Sequence, residues 1–162
     1  MTWSEAFHRQ ASSDFEVFKH FSRQSSPVAI CHRLHYLQMA SEKLVKGFLT
    51  RGSDEVPKKT HSGLLLFLRT LRSNPFVRSR LGFSDKHRKF DAYLKGLQPV
   101  AEAIELLAPA LGTKNGVNAE YPWSTSSGPI QYPANYAFRH ISLTEIVRFA
   151  DFIERLLKIY PD

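Results

Sequence analysis

The chain has 162 residues, 43% of them hydrophobic, a formal net charge of +7 and a single cysteine, Cys31, which suits one domain over residues 1–162 with a core of its own. One cysteine excludes an intrachain disulfide and fits a reducing compartment. No apolar run approaches the roughly 18 residues that span a bilayer, and the polar start Met-Thr-Trp-Ser-Glu-Ala-Phe-His-Arg does not read as a signal peptide, so the expectation is a cytoplasmic protein without membrane contact.

Thr2-Trp-Ser-Glu5 has the spacing of a capping box and predicts that the first helix starts there. Trp3, Phe7, Ala11, Phe15, Phe18 and Phe21 then repeat at helical spacing, an aromatic face suited to burial rather than to cofactor stacking. Ser22 to Ser26 is a short polar link of the kind that joins antiparallel neighbours. Ser26 and Pro27 suit the cap and first position of a second helix, and Gly52 suits its left-handed end. Ile30, Leu34, Leu37, Ala40, Leu44 and Phe48 form its stripe, and a helix of about 24 residues would be roughly 36 Å long.

Thr60 is the expected cap of a third helix carrying Leu64, Leu65, Phe67, Leu68 and Leu71, which Ser73-Asn74-Pro75 breaks. Phe76 to Phe83 reads as a short helical turn limited by Gly82. Ser84 is the expected cap of a fourth helix with Phe90, Tyr93, Leu94, Leu97, Ala101, Ile104, Leu107 and Leu111 in step across Pro99. Because the period does not slip, one long kinked helix is expected, closed by Pro109 and Gly112.

Residues 112–140 show no period, yet hold Tyr121, Trp123, Tyr132, Tyr136 and Phe138. Such a segment reads as a loop packed on the helices, closing a groove or lining a ligand site. Ser142-Leu-Thr-Glu145 is a second capping box, with Ile141 and Ile146 in hydrophobic-staple positions. Ile146, Phe149, Ile153, Leu156 and Tyr160 continue the last helix. The fold class expected is all-α, an antiparallel four- to five-helix bundle with a long aromatic loop before the last helix.

Charge supplies the first functional signal. Residues 69–96 carry eight Lys/Arg against Asp85 and Asp91, whereas residues 97–162 carry five against seven acids. Local basicity of this kind points to a polyanion-binding face. The candidate contacts are Arg69, Arg72, Arg78, Arg80, Lys86, Arg88 and Lys89, with Arg139 and His140 as outliers. The bland alternative is a solvated basic surface.

A second signal is a resemblance. His35-Tyr-Leu-Gln38-Met-Ala40-Ser-Glu42-Lys43-Leu-Val-Lys46, then Thr60-His61-Ser-Gly-Leu-Leu, then Tyr132-Pro133 ahead of the last helix, resemble the HEPN superfamily of helical bundles. That family often shows Gln-x-Ala-x-Glu-Lys-x-x-Lys followed by Thr-His and leucines. The resemblance covers most of the chain except residues 112–131. It implies a frequently dimeric bundle associated with RNA or nucleotides, often beside a small nucleotidyltransferase in toxin–antitoxin or defence pairs. It also implies, for some members, a metal-independent RNase with an Arg and a His that have four to six residues between them. Arg80 and His87 meet that spacing, although Leu81 follows the Arg where members usually have a polar residue, and Gly82 interrupts the segment.

Other chemistry is sparse. His35, Gln38, Glu42, Lys43 and His61 would share a polar pocket if the second and third helices meet there, the alternative being helix support by the Glu42–Lys46 pair. Cys31, His32 and His35 have spacings that suit a metal but lack further ligands nearby in sequence, so no metal and no cofactor is expected. There is no phosphate-cradling Gly-rich loop, no His-Glu-x-x-His and no Gly-x-Ser-x-Gly. Three functions follow as expectations: an RNA- or nucleotide-associated accessory protein, a HEPN-type endoribonuclease, or a non-catalytic protein-interaction module.

Overall fold

A computed structural model describes residues 1–23, 28–53, 63–111, 116–124 and 128–159. Among these the chain is helical, with no strand: α1 Trp3–Arg23, α2 Ile30–Leu49, α3 Leu64–Leu71, α4 Pro75–Arg80, α5 His87–Lys95, α6 Gln98–Glu105 and α7 Leu143–Ile159. Two single 3₁₀ turns, Pro109–Leu111 and Pro133–Asn135, lie between α6 and α7. No helix of the described residues is long and apolar enough to cross a membrane.

Helix α1 starts where the capping box predicts. Thr2 N–H donates to Glu5 Oε2 at 2.8 Å and Glu5 N–H to Thr2 Oγ1 at 3.2 Å. Ala11, Phe15 and Phe18 are buried, but Trp3 is 42% exposed, so the aromatic face goes under only in its middle. Helix α2 runs antiparallel to α1: Ser4 meets Gly47, and Phe21 meets Tyr36. Its 20 residues begin at Ile30, with Ala29 in the cap position. The caps expected from Ser26, Pro27 and Thr60 lie outside the described residues, as do Gly112 and Tyr160. Gly52 takes φ +77 just beyond α2, in the conformation its position after the helix predicts.

Two expectations are corrected in the middle of the chain. The long kinked helix is broken into α5 and α6 by a turn at Gly96 and Leu97. Pro99 has no N–H to give to the Lys95 carbonyl, and its ring crowds that same group. The stripe nevertheless stays in register, so Phe90, Leu94, Leu97, Ala101, Ile104 and Leu107 are all buried. Ser84 is not a cap either: α5 starts at His87 behind Lys86, with no side-chain cap bond. Ser84 instead belongs to the turn that closes α4.

The segment before α7 is held by its own side chains. Asn118 Oδ1 accepts from the N–H groups of Glu120 and Tyr121, and its amide donates to the Gly116 and Tyr121 carbonyls. Trp123 and Gln131 exchange two backbone hydrogen bonds. Trp123, Tyr136 and Phe138 form a chain of edge-on rings at 5.1 and 4.9 Å, and Phe138 is buried against the helices. Helix α7 opens on the second capping box, where Glu145 N–H donates to Ser142 Oγ and Ser142 N–H returns to Glu145. The staple residues Ile141 and Ile146 are both buried.

Candidate nucleic-acid interface

The basic segment is built from two short helices and the turns around them. Asn74 Oδ1 accepts from Val77 N–H at 3.0 Å and Pro75 occupies the first turn, so α4 starts firmly at that point. It stops as firmly. Gly82 takes φ +85, its N–H donates to the Ser79 carbonyl, and Phe83 N–H donates to the Arg78 carbonyl. That 6→1 and 5→2 pair is a Schellman closure. Arg78 Nε then donates to the Ser84 carbonyl at 3.1 Å, and the Ser79 and Ser84 hydroxyls lie 3.1 Å apart. The turn is fixed on both sides.

The cations on this frame are not equivalent. Asp91 pairs with Arg72 and, at 2.9 Å, with Lys95. The Lys95 hydrogen bond, supported by Arg72, holds the Asp91 carboxyl below the usual carboxylate range, so this pair of cations has a resident counter-charge. Arg78 is committed to the turn. Arg80 lies over the Phe76 ring at 5.3 Å, with Phe76 40% exposed. Arg69, Lys86, Arg88 and Lys89 are exposed and make no ion pair among the described residues. Lys86, His87, Arg88 and Lys89 open α5, and no acid stands in its first turn. Cations at the positive end of a helix dipole repel it, an arrangement that a bound anion relieves.

Arg80 ends α4 and His87 opens α5, both exposed, on either side of the Leu81–Lys86 turn. Arg139 and His140 lie elsewhere, in the turn before α7. No hydrogen bond or ion pair among the described residues joins them to the α3–α5 cations, and His140 lines a separate cavity with Pro99, Glu102 and Tyr136.

The polar residues of α2 separate into three places. Gln38 and Glu42 face a cavity of about 160 Å³ between α2, the start of α3 and α6. Gln38 Nε2 donates to Glu42 Oε2 at 3.1 Å, and Lys46 Nζ to Glu42 Oε1 at 2.6 Å. Glu105 lines the same cavity and accepts from the N–H groups of Gly63 and Leu64, both at 2.6 Å. Lys43 turns away and pairs with Asp14 of α1. His35 approaches Glu120 of the aromatic loop at 3.4 Å. His61 lies outside the described residues. Among the described residues no three His, Cys, Asp or Glu side chains gather as a metal would require, and Cys31 is buried, which pushes its thiol pKa up.

Sequence reasoning counted Asp91 in the charge balance but not its pairing, and missed Asp14 and Glu105. Asp91 alone had a local signal, its four-residue spacing to Lys95. Comparison with family models, with curated proteins and with solved structures finds no match to the chain.

Proposed function

We propose that this chain is a HEPN-like, RNA- or nucleotide-associated accessory protein. In this reading it is a cytoplasmic homodimer of antiparallel four- to five-helix bundles, working beside a nucleotidyltransferase in a toxin–antitoxin or defence pair. One observation carries the polyanion reading: Arg69, Lys86, Arg88 and Lys89 are exposed without carboxylate partners, three of them at the start of α5. Evenly neutralised surface charge would not leave such a set. The family part of the proposal rests on the Gln38–Lys46 run and its flanking motifs.

The experiment is a titration of a short mixed-sequence RNA at rising salt. Four phosphate contacts imply a log–log slope of about −3, so affinity falls roughly fiftyfold between about 50 and 200 mM salt. A flat response, or no binding at low salt, removes the polyanion reading and leaves the protein-interaction module.

A second reading is the metal-independent endoribonuclease, with Arg80 and His87 at the scissile phosphate. It is favoured by their exposure on the two sides of one fixed turn. Incubation of purified protein with RNA in EDTA tests it. Cleavage lost equally in Arg80→Ala and His87→Ala supports it, and intact RNA with the wild type rejects it.

A further inference from the structure

A groove of about 470 Å³ runs between α1, the start of α2 and α7, floored by Phe15, Phe18, Ile30 and Ile146. Its α7 wall is unusual. Leu143 and Val147 are 63% and 62% exposed, and Asp151 follows four residues later, so the three share one stripe of the helix. Across the groove stands Arg33, whose Nε is shut off from solvent and has no hydrogen-bond partner among the described residues. A guanidinium N–H shut off from solvent without an acceptor is a costly arrangement in a closed molecule. Asp151, by contrast, is exposed, and it too makes no ion pair among the described residues. The groove's other charges are already matched: Lys19 meets Glu16 at 2.6 Å and Glu154 at 3.7 Å, and Lys158 meets Glu154 at 3.4 Å.

The order of contacts along α1 sets the polarity of this groove. His8 reaches the Leu157 carbonyl, Lys19 reaches Glu154, and Phe21 meets Tyr36, which lies one turn after Arg33. Arg33 therefore stands toward the Leu143 end of α7, and Asp151 lies farther along, at the middle of that helix. Eight residues separate Leu143 from Asp151, roughly 12 Å along the axis.

We infer that this face is the contact between two copies of the chain. A cation at one end and a carboxylate at the other, both without an ion pair among the described residues, and two bare aliphatic side chains between them form a surface complementary to itself under a two-fold rotation. In such an isologous contact residue i meets j and j meets i. With the axis near Val147, the α7 helices lie antiparallel, Arg33 meets Asp151 of the second copy, and Leu143 and Val147 cover one another. The inference rests on the homodimeric part of the reading above and not on its RNA part.

The experiment is sedimentation of the full chain over a range of concentrations, with charge swaps. Arg33→Glu and Asp151→Arg each weaken dimerisation by about thirtyfold or more, as expected for a desolvated pair that loses one partner. The double swap restores it. Val147→Glu, at an exposed position, abolishes the dimer while leaving the circular-dichroism melting curve in place. A dimer indifferent to all three changes places the contact on another face and overturns this inference while keeping the homodimer. So does a double swap that fails to restore association. A wild-type chain monomeric at every concentration overturns both.

Discussion

Lys43 of α2 places its ammonium 2.5 Å from Asp14 Oδ2 of α1. The two residues are 29 apart in sequence, and their side chains are only 19% and 10% exposed. Asp14 also accepts from the Gln10 amide at 3.1 Å, so its carboxylate is well satisfied. Removing one partner strands a mostly buried charge, which costs more than the pair itself contributes. Asp14→Ala should destabilise the chain by about 2–3 kcal/mol in urea unfolding. Asp14→Ala with Lys43→Met should recover most of that loss. Equal losses in the single and double variants would show that the pair is not the cause.

Glu105 does for α3 what a capping residue does locally. One carboxylate oxygen takes the N–H groups of Gly63 and Leu64, and it comes from α6, 42 and 41 residues on. The tie fixes α3 against α6 and closes one side of the Gln38–Glu42 cavity. Glu105→Ala should cost about 1–2 kcal/mol. It should also speed hydrogen exchange at those two amides more than elsewhere in the molecule. Uniformly faster exchange would mean that Glu105 is an ordinary core support.

These ties explain how far the sequence could be read. Both capping boxes were legible because each joins residues three apart, and the buried stripe of α5 and α6 was legible because Pro99 broke the helix without shifting its period. Ser84 misled for a physical reason: Phe83 and Ser84 are consumed in closing α4, one through its N–H and the other through its carbonyl. The four polar residues of α2 grouped with His61 shared motif membership, but the helix points Lys43 to α1, Gln38 and Glu42 to the α6 side, and His35 to Glu120. Pairings such as Lys43–Asp14 have no local period to announce them. The division of the basic segment into paired and unpaired cations depended on Arg72 finding Asp91 across a gap of 19 residues.

Acid should test the last helix. Hydrogen bonds from the Ser142 hydroxyl and N–H hold the Glu145 carboxyl below its ordinary 4.5. A carboxylate depressed in the folded state contributes stability above the unfolded value, and that contribution is lost as pH falls through the lower folded value. Stability of the wild type should therefore decline below about pH 4.5. Glu145→Gln should flatten part of that decline while lowering stability at neutral pH. Measuring the urea midpoint from neutral pH to about pH 3 checks this, and parallel curves for the two chains would reject it.

The strongest test of the basic face uses the cations against one another. Arg72 and Lys95 already share Asp91, which stays ionised because Lys95 and Arg72 favour its charged form. Phosphate gains little from a guanidinium whose charge is already met. Arg72→Ala should therefore change RNA affinity and its salt slope only slightly, whereas Arg88→Ala and Lys89→Ala should each flatten the slope by about 1. Asp91→Asn should act in the opposite sense, tightening binding and steepening the slope as two cations lose their neutralising neighbour. Filter binding of one RNA at several salt concentrations separates these outcomes. Equal losses for Arg72→Ala and Arg88→Ala, or weaker binding in Asp91→Asn, would mean that charge pairing on this surface does not govern what it binds.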